Sequence, residues 1–238
     1  MIILTGVNGF IGNNLYKKIK RIYKKKILLI EDFKINNNLC KYDDKIIDFR
    51  DFDFLKLPKN RIEAIFHLGA ITDTTFSDSK IINLQNTEFS INLYESVKNT
   101  DCKFIYASSA SVYGKNLNSI EEPINEKPIN LYSHSKLNFD NYIREATNNF
   151  KDNKKVFGLR YFNVYGPGED KKGKMASVIF HFYNQIVNEQ KIKLFVGSDG
   201  FENGEQKRDF IYVDDVVNVT LDMFVKNYQS GIFNLGTG

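Results

Sequence analysis

The 238-residue chain carries 33 Lys and Arg against 29 Asp and Glu, a net charge of +4, with 42% hydrophobic and 26% charged residues. That length suits one α/β domain with at most a small appended lobe, and the mild positive balance agrees with an anionic ligand without demanding nucleic acid. No apolar run nears the ~20 residues that span a bilayer, and Cys40 and Cys102, the only cysteines, form neither a metal-ligand spacing nor a disulfide framework.

Residues 1–5 predict a short buried strand with no signal peptide ahead of it, so the expectation is a reduced, cytoplasmic protein. Thr5-Gly6-Val7-Asn8-Gly9-Phe10-Ile11-Gly12 follows, and Phe10, Ile11, Leu15, Ile19 and Ile22 recur behind it at helical spacing. Between a strand and a helix, Gly6 permits the tight turn and Gly9 lets the backbone approach a pyrophosphate. Gly12 allows close helix–sheet packing, and the helix amino end faces the phosphates. Lys17, Lys18, Lys20, Arg21, Lys24, Lys25 and Lys26 read as the solvated face and carboxyl end of this helix rather than a nucleic-acid patch.

A second apolar run, 27–30, ends in Glu31-Asp32, where a carboxylate can bind the adenosine ribose of a dinucleotide. An acidic pair favours NAD. Lys34 and Arg50 lie near enough in the expected fold to hold a 2′-phosphate, so the local residues leave NAD and NADP both open. Residues 45–48 and 64–68 predict the third and fourth strands. At the end of the fourth, His67-Leu68-Gly69-Ala70 supplies small residues against which a cofactor can lie, with Ile71, Thr72 and Gln85 as further candidate contacts. His67 itself reads as a packed strand-end histidine, and His67, His134 and His181 form no metal motif.

A helix over 81–97 leads to a strand over 103–108, and a helix over 132–148 leads to a strand over 156–160. Short apolar strands alternating with amphipathic helices predict a Rossmann-type doubly wound parallel sheet with right-handed crossovers. Residues 1–162 are the expected dinucleotide-binding domain, 163–207 a substrate-lobe segment, and 208–238 the return to the first domain. Within the later part, 163–176 reads as loop, 177–188 as helix, and 193–196 and 208–213 as strands. Asp214-Asp215 can cap the helix that begins there, and 232–235 returns to the main sheet.

Tyr132 and Lys136, four positions apart, share one helix face. A phenol of ordinary pKa near 10 is a weak base at neutral pH, and a neighbouring cation favours its ionised form. Ser109, closing Ala107-Ser108-Ser109, can hydrogen-bond the oxygen that gains or loses a proton. Behind a glycine-rich phosphate loop, these residues point to hydride chemistry on a carbinol.

These motifs resemble the extended short-chain dehydrogenase/reductase family, whose Ser/Thr–Tyr–Lys triad implies catalytic roles for Ser109, Tyr132 and Lys136, with Lys136 also bonding the nicotinamide ribose. Four further stretches narrow the resemblance to the nucleotide-sugar epimerases of that family, in particular the branch acting on ADP-heptose. They are Arg160-Tyr161-Phe162-Asn163-Val164-Tyr165-Gly166-Pro167, Lys172-Gly173-Lys174-Met175-Ala176-Ser177-Val178, Phe195-Val196-Gly197-Ser198 and Lys207-Arg208-Asp209-Phe210. The resemblance implies a redox inversion at C6″ of ADP-heptose with tightly bound NADP. A second base is implied on the other side of the carbinol and maps to Lys172, which alone would read as a solvated lysine. By the same mapping Asn163 and Lys171 join the cofactor site. Val164, Lys174, His181, Phe195, Val196, Gly197, Ser198 and Arg208 surround the substrate, the Arg208 fork suiting a diphosphate. A homo-oligomer, a pentamer, is implied as well, and members of the branch continue beyond the position of Gly238. The alternatives are a sugar-nucleotide 4-epimerase and a cofactor-binding scaffold without turnover. A 4,6-dehydratase fits less well, since it needs an acid pair where Ala110-Ser111 stands.

Overall fold

The computed structural model describes residues 1–32, 42–116, 118–152, 155–198 and 200–238. Lys34 and Cys40 lie outside them. Strands β1 (Ile2–Thr5), β2 (Ile27–Glu31), β3 (Lys45–Asp48), β4 (Ala64–His67), β5 (Lys103–Ser109) and β6 (Val156–Tyr161) are followed by β7 (Asn163–Tyr165), β8 (Phe210–Tyr212) and β9 (Gly231–Leu235). Seven of them form one parallel sheet in the order β3-β2-β1-β4-β5-β6-β9, while β7 and β8 pair separately, also in parallel. This is the doubly wound α/β architecture. Its strand order reverses beside β1, and ligands of such sheets bind outside the carboxyl ends of the strands at that point.

Side-chain alternation along each strand feeds two hydrophobic layers. Ile2 and Leu4 of β1 pack with Leu15 and Ile19 of α1 (Phe10–Ile22) and with Val217 and Leu221 of α6 (Val213–Val225). On the other face Ile3 and Ile65 meet Leu93 of α3 (Phe89–Glu95) and Phe139 and Ile143 of α4 (Leu131–Ala146). Each such fully buried side chain stabilises the fold by about 1.5–3 kcal/mol relative to exposure. Helices α2 (Ser79–Ile82) and α3 flank a π-helical turn over Asn83–Glu88, which interrupts the single helix expected over 81–97. Helix α5 (Val178–Glu189) follows the 3-10 turn Glu169–Met175.

Three expectations need correction. The stretch 163–176 was expected to be all loop, but β7 lies within it: Val164 is buried and the strand pairs with β8. Residues 193–196 do not form a strand. Leu194, Phe195 and Val196 are exposed there and meet no neighbouring strand among the described residues, and an apolar run without a ladder partner does not hold β geometry. Asp214 and Asp215 do not cap α6. The cap position is Tyr212, and the two carboxylates stand in the first turn, where they suit the helix dipole.

Candidate active site

The glycine turn is built by backbone proximity. Gly6 holds φ at +73°, and a Cβ there would stand 2.6 Å from Gly69 N. At Gly12 a Cβ would fall 2.0 Å from Gly6 O, so α1 could not start so close to β1 with any other residue. The turn opens onto a crevice of about 1640 Å³ above the strand ends, lined here by Gly6, Gly9, Phe10, Ile11, Gly12, Glu31 and Leu68 through Thr72. A cradle that a Cβ would fill, at the amino end of a 13-residue helix, fits the diphosphate of a dinucleotide.

His67 fastens this cradle from below. Ser90 Oγ donates to Asn86 O (2.6 Å), so it accepts from His67 Nε2–H (2.7 Å). Nδ1 is then the acceptor for Thr5 Oγ1 (2.8 Å), which in turn accepts from Gly69 N (2.8 Å). Burial, aided by the Lys136 charge, lowers the imidazole to about 3, so the ring is neutral. Asn86 fixes the next wall: its amide spans both backbone groups of Ile71 (2.8 and 2.9 Å) and reaches Ser135 Oγ (2.9 Å). Sequence reasoning gave neither residue this bracing role; the one signal was the position of Asn86 beside Gln85.

At the β2 end, Glu31 is buried and accepts from Asn8 N (2.8 Å) and from Asp32 N (3.0 Å). Asp32 takes Arg50 Nη1 on one oxygen (2.9 Å) and Gln85 Nε2 on the other (2.9 Å). Asp32 and Gln85 border a smaller recess beside the main crevice, and Arg50, also bonded to Asp48, lines neither cavity.

The reacting end rests on α4. Asn130 Oδ1 accepts from Ser133 N (2.8 Å) and Ser133 Oγ accepts from Asn130 N (3.1 Å), a capping box that starts the helix one residue before Tyr132. Tyr132, Lys136 and Ser109 all line the crevice. Burial pushes the Tyr132 phenol above its ordinary value and outweighs the Ser109 side chain, which favours the phenolate. The cation effect expected from Lys136 is therefore not what governs Tyr132. Lys136 Nζ donates to Ala107 O (2.9 Å) and stands 5.9 Å from the Tyr132 ring centre. Burial lowers the ammonium to about 8, against the opposing pull of Asp140. Beneath this floor Asp140 accepts from Arg160 Nη2 (2.8 Å), Tyr106 Oη (2.9 Å) and Ser108 Oγ (2.9 Å), and Arg160 also reaches Glu126 and Tyr113.

On the far side Asn163, Val164, Lys171, Lys172, Phe195 and Arg208 line the same crevice. Lys172 Nζ lies 5.6 Å from the Phe10 ring centre and 3.8 Å from Glu169 Oε1. Lys174, His181, Val196, Gly197 and Ser198 do not line it. Lys174 is mostly exposed and pairs with Asp73 (3.3 Å). Val178 and Phe182, one helical turn apart on α5, face the crevice and leave His181 on a neighbouring face. Gly197 N donates to Asn203 Oδ1 (2.7 Å), which folds that loop onto itself. Phe162, Met175, Leu194 and Gln206 also line the wall; Phe162 and Met175 fall within the stretches that carry the resemblance, which gives them no role, while Leu194 and Gln206 carry no motif.

The model of the NAD dependent epimerase/dehydratase family matches residues 2–236. ADP-L-glycero-D-manno-heptose-6-epimerase of Brachyspira hyodysenteriae is 44% identical to the chain, over all of it and 76% of the relative. The crystal structure of Helicobacter pylori ADP-L-glycero-D-manno-heptose-6-epimerase superposes with a TM-score of 0.82 at 32% identity, covering 99% of this chain and 76% of that one. A UDP-N-acetylglucosamine 4-epimerase from Methanobrevibacter ruminantium superposes with a TM-score of 0.82 at 28% identity, with the same coverage of 99% and 76%.

Proposed function

The chain belongs to the NAD dependent epimerase/dehydratase family, and from that premise we propose that it inverts C6″ of ADP-D-glycero-D-manno-heptose to give ADP-L-glycero-D-manno-heptose. The observation that carries this reading is a second half-buried amine, Lys172, on the crevice that also holds Ser109, Tyr132 and Lys136. Inverting a carbinol needs proton exchange on two sides of one carbon, which a single fixed base serves poorly. Tyr132 exchanges the proton on one side, aligned by Ser109; Lys172 serves the other. Lys136, its ammonium aimed at Ala107 O, would hold the nicotinamide ribose. A nicotinamide dinucleotide, held by Gly6, Gly9, Gly12 and the wall from Leu68 to Thr72, supplies reversible hydride transfer. We favour NADP: Arg50 on Asp32 offsets the repulsion that a carboxylate exerts on a 2′-phosphate.

Under this reading residues 1–162 form the cofactor domain, to which 208–238 return, and 163–207 the substrate lobe, with Arg208 at the border on the substrate diphosphate. The resemblance also supports a cytoplasmic homo-oligomer, a pentamer. The equal TM-score of the 4-epimerase keeps a second reading in view, epimerisation of a UDP-sugar at C4″. Incubation with ADP-D-glycero-D-manno-heptose and, separately, with UDP-N-acetylglucosamine, followed by NMR of the products, decides between them. Conversion of the first alone is the expected result; conversion of the second alone replaces this reading with the other. In the same assay Tyr132→Phe should lower turnover by about 10²–10⁴-fold and leave cofactor affinity nearly unchanged.

A further inference from the structure

We infer that Glu169 is a positioning residue for Lys172, holding its amine as a protonated group on the wall of the crevice. The inference rests on the epimerase reading, in which Lys172 exchanges a proton with the substrate carbinol. Glu169 is 2% exposed and opens the turn that carries Lys172. One of its oxygens accepts from Ser177 N and the other from Ser177 Oγ (3.0 Å). The oxygen bonded to Ser177 N stands 3.8 Å from Lys172 Nζ.

A cap for α5 does not require this charge. Ser177 Oγ already accepts from Phe180 N (3.3 Å), the ordinary N-cap bond. An ionised carboxylate removed from water is strongly disfavoured unless a cation and hydrogen bonds compensate it. Here the hydrogen bonds come from Ser177 and the cation is Lys172. Among the described residues, other elements packed against the amine offer no competing charge at that range: α1 presents the Phe10 ring, and its Asn14 is turned to Pro167 O (3.0 Å). Lys171 and Lys174 neighbour it in the chain, and the latter pairs with Asp73. Burial pushes the Lys172 ammonium below its ordinary value, and the Glu169 charge acts against that fall.

Fixed in this way, Lys172 can deliver a proton in one direction of the inversion and recover it in the other without leaving its place. The carboxylate also couples that amine to the start of α5, whose Val178 and Phe182 line the crevice.

The test is a titration of the Lys172 Cε resonance in the full chain with ¹³C-labelled lysine, assigned by Lys172→Arg. In Glu169→Gln, which keeps the shape and can still accept from Ser177 N while its amide nitrogen donates to Ser177 Oγ, but lacks the charge, the midpoint should fall by about 1 pH unit. Glu169→Asp, with the charge retained, should return part of that shift. Ser177→Ala, which removes the cap hydroxyl and spares the carboxylate, should lower the melting temperature and leave the midpoint in place. A midpoint unmoved in Glu169→Gln, or moved equally in Ser177→Ala, overturns the inference. Turnover of ADP-heptose by the unaltered protein is scored separately: its absence removes the epimerase reading, while the titration still decides whether Glu169 keeps Lys172 protonated.

Discussion

A histidine bonded through both ring nitrogens and closed off from water cannot accept a second proton without breaking a bond, and His67 is in that position. Its folded-state value of about 3 lies below the ordinary 6.5, so the unfolded chain binds the extra proton between those limits. The stability this ring contributes is therefore fully present above pH 6.5 and drains away as pH falls toward 3, with a slope of about 1.4 kcal/mol per pH unit. His67→Gln keeps a donor and an acceptor but does not titrate. Urea unfolding at a series of pH values below 6.5 should show the wild type losing stability faster than the variant by that slope. Reading single residues from the sequence worked where the backbone itself sets the requirement, as at Gly6 and Gly12. It failed for the proton affinity of Tyr132, because depth of burial is a property of the packed fold and a four-residue spacing does not encode it.

Among the elements, α4 depends most visibly on its first turn. The reciprocal bonds between Asn130 and Ser133 fix where the helix begins and hence which way Tyr132 projects. Asn130→Ala should cost about 1 kcal/mol of stability, and kcat should fall by a larger factor than cofactor affinity; Asn130→Asp should restore most of both. Thermal melts and steady-state kinetics on the three proteins check this. Strand β3 was legible with the bounds it has in the fold, because apolar residues between polar turns leave little choice there. The three-residue β7 was not, since a pairing that short shows no periodicity and is fixed by β8, far away in the chain. The converse holds for 193–196, where strand-like composition meets no partner.

For the molecule as a whole, Arg160 is the junction between layers. From β6 it joins α4 through Asp140, the 3-10 turn Ala110–Tyr113 through the Tyr113 hydroxyl, and the connection before α4 through Glu126. Arg160→Met should destabilise by about 3–5 kcal/mol, because Asp140 and Glu126 would keep buried charges with less compensation. Adding Asp140→Asn to that variant should recover part of the loss in urea unfolding. The doubly wound sheet and the place of its crevice were legible from the alternation of strands and helices with a glycine turn at the start. Which residues of 163–208 face the crevice was legible only in part: Asn163, Val164, Lys171, Lys172, Phe195 and Arg208 do, but one residue of helical rotation puts Phe182 there in place of His181.

Two contacts of α1 have a mechanical meaning at this scale. Asn14 of α1 holds the carbonyl of Pro167, and Phe10 of the same helix lies beneath Lys172. The far wall of the crevice thus hangs from the helix whose amino end faces the glycine turn. Any slide or tilt of that rod carries both banks of the cleft with it, so the distance from nucleotide to sugar is set by one stiff beam rather than by the play of two independent loops.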